Sequence, residues 1–111
     1  MVRYKIVVEY LGTNFCGWQK QKNVSTVQET IENAAAKILQ EKISLTVAGR
    51  TDAGVHAEGQ VAHLDCSKNI CSSKVLLGIN FYLRNEKYGE DISIKKVEKV
   101  NEEFNARFSA L

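Results

Sequence analysis

The stretch TVQETIENAAAKILQEK, residues 26–42, carries apolar side chains at the spacing of an amphipathic helix. These side chains are Val27, Ile31, Ala34, Ala35, Ile38 and Leu39. Thr26 is a suitable N-cap, and Glu29 completes a capping box three residues later. The stretch therefore predicts a helix over residues 27–42, and the elements on either side of it decide the fold class.

Strand patterns lie on both sides of this helix. Before it, residues 3–11 (RYKIVVEYL) alternate, with Tyr4, Ile6, Val8 and Tyr10 on one face. After it, four segments have short apolar patterns that indicate strands. These are SLTVAG (44–49), GQVAHLDC (59–66), EDISIKKVEKV (90–100), where the alternation of Ile92 and Ile94 breaks, and NARFSAL (105–111).

A second helix is predicted in SSKVLLGINFYLR, residues 72–84, with Ser72 or Ser73 as its cap. Its apolar positions at helical spacing are Val75, Leu76, Ile79 and Tyr82. The order β-α-β-β-α-β is that of ferredoxin-like α+β folds. We therefore expect one domain over residues 1–111, with two helices on one face of an antiparallel sheet and the other face open.

Composition limits the function classes without choosing one. The chain has 111 residues, 44% hydrophobic and 25% charged, which is ordinary for a globular domain. A formal net charge of +2 is too small to indicate a nucleic-acid partner by itself. The apolar runs are too short to span a membrane, and the first residues do not resemble a signal peptide. The sequence therefore predicts a cytoplasmic protein.

The thiols and one histidine are a weak metal constellation. Three cysteines (Cys16, Cys66 and Cys71) without an export signal indicate reduced thiols. Cys66 and Cys71 lie near His63, but there is no second cysteine pair, so packing is favoured over zinc. We predict that His63 is a half-buried packing residue and that KKVEK at 95–99 is a solvated strand edge.

The segment GRTDAGVHA, residues 49–57, has two interpretations. Asp52 and Gly54 fit a type I turn, and this rule alone favours a plain turn. However, about nine residues are more than a hairpin needs, and Arg50 near Asp52 would keep that carboxylate ionised and oriented. Gly49 and Gly54 would allow a bulky ligand to approach closely. An accessible, ionised aspartate suits catalysis at a sugar carbon.

The polar segment GTNFCGWQKQKNVS, residues 12–25, contains stacking surfaces beside charges and amides that suit RNA. These residues are Phe15, Trp18, Gln19, Lys20, Gln21 and Lys22. The alternative is that the two aromatic side chains cover one end of the core. In the motif, His56 is either a base or phosphate donor or a structural hydrogen-bonding residue.

GRTDAGVHA resembles the signature of the tRNA pseudouridine synthase family called TruA. Four companion segments resemble the same family in the same order. These are YLGTNFCGWQKQ (10–21), STVQETIE (25–32), GQVAHLD (59–65) and FNARFSAL (104–111). This resemblance covers nearly the whole chain and favours the catalytic interpretation of the motif over the plain turn.

The resemblance implies an enzyme that isomerises uridine to pseudouridine at positions 38, 39 and 40 of the tRNA anticodon stem–loop, without metal or cofactor. Asp52 matches the catalytic aspartate, and Arg50 matches the arginine that pairs with it and helps to extrude the nucleotide. Thr51, Gly54 and His56 match the same loop. We expect these three residues to contact the substrate, together with the first-loop residues Phe15, Trp18, Gln19 and Lys20. The resemblance also implies a homodimer of the full-length protein.

The chain departs from the family pattern at three places. Asn80 and Leu83 match an N-x-x-L-P motif, but Arg84 replaces the proline. Asn105 stands where a histidine is usual. Family members continue beyond the position of Leu111 into a strand whose tyrosine packs on the target base and then into a second domain. We therefore expect this chain to correspond to the amino-terminal half of the enzyme.

Three functions remain to be separated. The first is a pseudouridine synthase domain. The second is a non-enzymatic RNA-binding module, which would need exposed aromatic side chains on the central strands, and GQVAHLD has none. The third is an assembly domain that keeps the motif without activity. Conversion of tRNA by intact and Asp52-substituted protein distinguishes the first from the other two.

Overall fold

A computed structural model describes residues 1–11, 26–47 and 57–106, without the side chains of residues 57 and 58. The elements in chain order are β1 (Val2–Tyr10), α1 (Val27–Leu39), β2 (Leu45–Val47), β3 (Ala57–Cys66), α2 (Ser72–Leu83) and β4 (Ile92–Val100). The strands form an antiparallel sheet in the order β2-β3-β1-β4. This order and the two helices confirm the predicted α+β, ferredoxin-like fold.

The core lies between the two helices and one face of the sheet. Tyr4, Ile6 and Val8 are completely buried on β1, as their alternation predicts. On the neighbouring strand β3, Ala62 and Leu64 are buried in the same core. The intervening side chains of β1 and β3 form the other face of the sheet, because successive strand residues point in opposite directions.

Helix α1 begins where the sequence predicts and ends earlier. The hydroxyl of Thr26 accepts a hydrogen bond from the backbone N–H of Glu29 at 3.2 Å, so the predicted N-cap is confirmed. The helix ends at Leu39 rather than at residue 42. The reason is local: Gln40 adopts a left-handed φ of 55°, and its N–H donates to the carbonyl of Ala36.

Helix α2 lies within the predicted range, but its predicted cap is wrong. The N-cap is Cys71 rather than Ser72 or Ser73, and no side chain caps the helix. The Cys71 thiol instead lies 3.0 Å from the hydroxyl of Ser73. The buried residues of α2 are Val75, Ile79 and Leu83, at i, i+4 spacing, while Leu76 and Tyr82 are only partly buried.

Strand β4 has the break that its sequence predicts. Val7 of β1 pairs with Lys96 and Val8 pairs with Ile94, so Lys95 is an extra residue in a bulge. Lys95, Lys96 and Lys99 are exposed, which confirms the solvated edge. Beyond β4, the strand predicted over 105–111 is wrong at its first two residues, because the chain has left the sheet there, and residues 107–111 lie outside the described part.

Neither α1, with 13 residues, nor α2, with 12, reaches the length that a bilayer crossing requires. Within the described ranges, no helix has the combination of length and apolarity needed to cross a membrane.

Candidate functional site

One end of the central strands brings the two polar segments of the sequence together. Tyr10, the last residue of β1, pairs with Ala57, the first residue of β3. Residues 12–25 follow β1, and residues 48–56 connect β2 to β3. Since paired residues lie side by side, these two segments, here called the first segment and the motif segment, join the sheet at neighbouring positions.

All the site residues predicted from the sequence fall in these two segments, outside the described residues. They are Asp52, Arg50, Thr51, Gly54 and His56 in the motif segment, and Phe15, Trp18, Gln19 and Lys20 in the first segment. Cys16 lies there as well. The structure therefore describes the frame that carries the candidate site: the strand ends, their anchors and the neighbouring sheet face.

A bulge distorts β3 close to the motif segment. Val8 pairs with Gln60, but the next residue of β1, Glu9, pairs with Glu58. The extra residue is Gly59, whose φ of +148° is a backbone conformation that L-residues rarely adopt. Bulges bend a strand and redirect its end, so Gly59 influences the direction in which β3 meets the motif segment.

The opposite end of the motif segment follows β2, a strand of only three residues that α1 holds in place. The N–H of Leu45 donates to Oε2 of Glu32 at 2.9 Å. The side-chain amide of Gln28 donates to the same oxygen at 2.9 Å and to the carbonyl of Leu45 at 3.3 Å. The Gln28 and Glu32 side chains bonded to Leu45 are called the β2 clamp below.

Sequence reasoning missed the β2 clamp, although a signal was present. Glu32 is only 7% exposed, and it follows Ile31 on the apolar side of α1. A carboxylate on the buried side of a helix needs hydrogen-bond donors, because burial removes its water. The position of Glu32 in the helical pattern therefore predicts a partner, but the sequence could not show that the partner is the backbone of β2.

The start of the first segment is held at its base by the turn before β4. The N–H of Leu11 donates to the carbonyl of Asp91 at 2.9 Å. A cleft of about 210 Å³ lies beside this bond, and Glu9, Glu90 and Asp91 are among its lining residues. These carboxylates disfavour phosphate groups in the cleft, because like charges repel. The cleft is therefore a poor site for an RNA backbone.

The open face of the sheet is partly covered by residues 101–106, called the strap below. Arg3 makes a two-point ion pair with Asp65 across the sheet, at 2.8 and 2.9 Å. The same guanidinium donates to the carbonyl oxygens of Glu102 and Phe104, two residues of the strap. Arg3 thus joins β1, β3 and the strap. Its hydrogen bond, more than its charge alone, lowers the pKa of Asp65.

His63 holds the end of the strap. Its Nδ1 accepts a hydrogen bond from the N–H of Ala106 at 3.1 Å, and its ring meets Phe104 edge-on at 6.0 Å. Burial, and then the positive charge of Arg3, lower the pKa of His63, so the ring stays a neutral acceptor. The side chain is 5% exposed, which confirms the prediction of a packing residue, and its burial is greater than expected.

The two described cysteines differ in environment. Cys66 is fully buried beneath the helices, and burial raises the pKa of its thiol. Cys71 is exposed at the start of α2, where the hydrogen bond with Ser73 lowers the pKa of its thiol. Among the described residues, no cluster of His, Cys, Asp and Glu side chains could hold a metal ion.

The open face of the central strands differs from an aromatic RNA-stacking platform. On β1 and β3 its described side chains include no Phe, Tyr or Trp; they are Arg3, Lys5, Val7, Glu9, Val61, His63 and Asp65. The aromatic ring nearest to this face is Phe104 of the strap, with Lys5 Nζ 5.6 Å from its centroid. Stacking of successive bases on these strands is therefore disfavoured.

Comparison with known proteins identifies similar chains. A family model described as tRNA pseudouridine synthase matches residues 6–109. The tRNA pseudouridine synthase A of Ehrlichia chaffeensis is 51% identical over 110 residues, which cover 98% of this chain and 43% of the relative. The protein of the same name from Colwellia psychrerythraea is 47% identical over 109 residues, covering 98% of this chain and 40% of the relative.

A third relative gives the same result. The tRNA pseudouridine synthase A of Anaplasma phagocytophilum is 50% identical over 111 residues, which cover 98% of this chain and 44% of the relative. The chain therefore spans less than half the length of the curated relatives it matches. The similarity extends over both polar segments and over the strands to which they are attached.

Proposed function

We propose, because this chain belongs to the tRNA pseudouridine synthase family, that it is the domain of a tRNA uridine isomerase that carries the catalytic aspartate, Asp52. The observation that carries the proposal is the family match over residues 6–109, which includes the whole motif GRTDAGVHA. The antiparallel pairing of β1 with β3 supports it, since the motif segment and the first segment join the sheet side by side.

The proposed reaction is an isomerisation within one nucleotide. The glycosidic carbon–nitrogen bond of uridine breaks, the uracil turns, and a carbon–carbon bond to the same ribose forms. The carboxylate of Asp52 attacks the target uridine as the first bond breaks. Arg50 keeps this carboxylate ionised and oriented, because a guanidinium beside a carboxylate stabilises its charge and binds it at two points.

The substrate that we propose is the tRNA anticodon stem–loop, with the target uridine at position 38, 39 or 40. A base inside a stem cannot reach a side chain, so it must be flipped out of the stack. Arg50 helps to extrude the nucleotide, and Thr51, Gly54 and His56 line its path. Phe15 and Trp18 supply stacking surfaces and Gln19 and Lys20 supply polar contacts in the first segment.

Two further parts of the proposal concern the whole protein. We propose that the protein works as a homodimer in the cytoplasm, as the family resemblance and the composition led us to expect. Neither the isomerisation nor the binding mode requires a metal ion or a cofactor, because the product has the same atoms and the same oxidation level as the substrate.

The decisive variant is Asp52→Asn in the protein at its natural length. Asparagine keeps the shape of aspartate but cannot act as a nucleophile or a base, so pseudouridine formation should stop while tRNA binding stays nearly unchanged. Single-turnover conversion of an anticodon stem–loop and a binding titration measure the two effects separately.

A matched control is Asp65→Asn on the open face. Asp65 forms the ion pair with Arg3 far along β3 from the motif segment, so this variant should lose stability but keep its turnover when folded. Pseudouridine formation by the Asp52→Asn protein would contradict the catalytic assignment. RNA binding without conversion by the parent protein would favour a binding module instead.

A further inference from the structure

We infer that Gln28 and Glu32, the two side chains of the β2 clamp, are positioning residues for the motif segment. They hold Leu45 so that β2 delivers the segment containing Asp52 in a defined place. This inference rests on the proposed function, because a positioning role has meaning only if the motif segment carries the chemistry. Neither side chain need touch the substrate.

The shortness of β2 makes an additional anchor necessary. The strand has three residues, and its three pairs with β3 are Leu45 with Leu64, Thr46 with His63 and Val47 with Ala62. It also lies at the edge of the sheet, so only one neighbouring strand supports it. A strand this short has few ladder hydrogen bonds, and edge strands open more readily than central ones.

The β2 clamp compensates by binding both backbone polar groups of Leu45. Glu32 accepts from the N–H and Gln28 donates to the carbonyl, while the bond from Gln28 to Glu32 holds the two side chains together. A hydrogen bond to a charged acceptor is stronger than one between neutral groups, especially where water is excluded. The first residue of β2 is therefore tied to the rigid helix α1.

The distance from the clamp to the motif segment is short. Val47 is the last residue of β2 and follows Leu45 by two positions, so it lies roughly 7 Å away at the rise of an extended strand. A movement of Leu45 is therefore passed on to the start of the motif segment. Misplacement of catalytic groups by about 1 Å can reduce a rate by as much as 10²-fold.

The opposite edge of the sheet supplies a matched control. Asn80 of α2 donates its amide N–H to the carbonyl of Ile94 at 3.0 Å and accepts from the N–H of Ile94 at 2.8 Å. This β4 clamp makes the same kind of bonds to an edge strand. It is attached to β4, which is separated from β3 and the motif segment by β1.

The test compares Glu32→Ala, Glu32→Gln and Asn80→Ala in the protein at its natural length. At saturating tRNA, Glu32→Ala should lower the single-turnover rate roughly tenfold or more with little change in tRNA affinity. Glu32→Gln should restore most of the rate, because its amide oxygen can accept the same two hydrogen bonds. Asn80→Ala should lower stability but leave the rate of the folded protein unchanged.

Hydrogen exchange gives a readout that does not depend on activity. The amide of Leu45 should lose protection by roughly tenfold or more in Glu32→Ala and not in Asn80→Ala. Should Glu32→Ala fail to fold, Gln28→Ala replaces it, since it removes one bond of the clamp and leaves the buried carboxylate its bond to Leu45.

Three results would overturn the inference: a parental rate in folded Glu32→Ala, an equal loss of rate in Asn80→Ala, or unchanged protection of Leu45. If the parent protein converts no uridine, the proposed function fails. In that case the positioning role fails with it, while the exchange measurement still decides whether the clamp anchors β2.

Discussion

The two edge strands of the sheet, β2 and β4, are each held by side chains of a helix on the core face. In both, one residue has its N–H and its carbonyl bonded by side chains: Leu45 by the β2 clamp and Ile94 by the β4 clamp. The chemistry differs, because the first clamp uses a carboxylate and an amide and the second uses one amide alone.

The strands that receive these clamps differ even more. Strand β4 has nine residues and pairs with β1 over nearly its whole length, whereas β2 has three residues. Loss of one clamp therefore removes a small part of what holds β4 and a large part of what holds β2. The comparison teaches that similar local bonds have different consequences: those at β4 support stability, and those at β2 support the segment that carries the proposed chemistry.

The largest effect that would sharpen this comparison is expected at Arg50, in the segment that β2 carries. Arg50→Lys should lower turnover on the order of 10²-fold despite keeping the charge, because an ammonium cannot bind carboxylate and nucleotide with a planar, two-point fork. Single-turnover conversion of an anticodon stem–loop measures it. Turnover close to that of the parent would mean that Arg50 supplies only positive potential.

The bulge on the motif side of β3 should give the next largest effect. Gly59→Ala should cost about 1–3 kcal/mol of unfolding free energy, because its φ of +148° is strained for an L-residue. A Cβ at this position would meet no atom within 4 Å, so the cost comes from the backbone alone.

Urea unfolding measures the Gly59→Ala effect, and a semisynthetic protein with D-alanine at this position provides the control. D-alanine favours the mirror-image backbone region and should retain most of the stability. Equal stability of the L-alanine protein and the parent would show that the bulge tolerates an ordinary residue.

A smaller loss of stability is expected at the β4 edge. Asn80→Ala removes two hydrogen bonds to Ile94 and should cost about 1–2 kcal/mol in urea unfolding. Asn33→Ala on exposed α1 is the matched control, and it should change stability by no more than about 0.5 kcal/mol. An Asn80→Ala protein as stable as Asn33→Ala would break the comparison, because the β4 clamp would then contribute nothing measurable.

The smallest effect concerns pH and the strap. The charged groups facing His63 are Arg3 and Lys5 of β1 and Asp65 of its own strand, and burial with Arg3 lowers the pKa of His63. A histidine with a lowered folded-state pKa contributes stability that is complete above its unfolded pKa of about 6.5 and is lost as pH falls through the folded value.

Protonation removes one N–H···N bond to Ala106, which is worth about 0.5–1.5 kcal/mol. Unfolding curves between pH 8 and pH 5 on the parent and on His63→Gln measure the effect. Glutamine can accept the same bond without titrating, so the parent should lose stability relative to this variant on acidification. Parallel pH profiles of the two proteins would contradict the prediction.

The local elements were predictable because their signals are local. The N-cap at Thr26 and the break of alternation at Lys95 were both present in the printed sequence, and both are confirmed. The errors have local causes as well. Helix α1 ends early because Gln40 takes a left-handed conformation, and α2 has Cys71 at its N-cap where serine was expected.

The candidate site divides in the same way. The identity of its chemical groups, with Asp52 and Arg50 foremost, came from the sequence motif, and their roles remain proposals. The frame could not be predicted to the same extent. Nothing in the residue pattern indicated that Arg3 would hold the strap by two carbonyl oxygens, or that Glu32 would bind the backbone of β2.

The sequence by itself determined the order of helices and strands, the buried face of β1 and the motif that indicates the family, because periodicity and motifs are properties of neighbouring residues. Only the tertiary structure decided that Tyr10 lies beside Ala57, that Leu45 is clamped from α1, and that His63 accepts from Ala106. These contacts join residues between 13 and 47 positions apart in the first two cases and 43 in the third. No repeat in the chain records such partners, since they are selected by how the elements pack together.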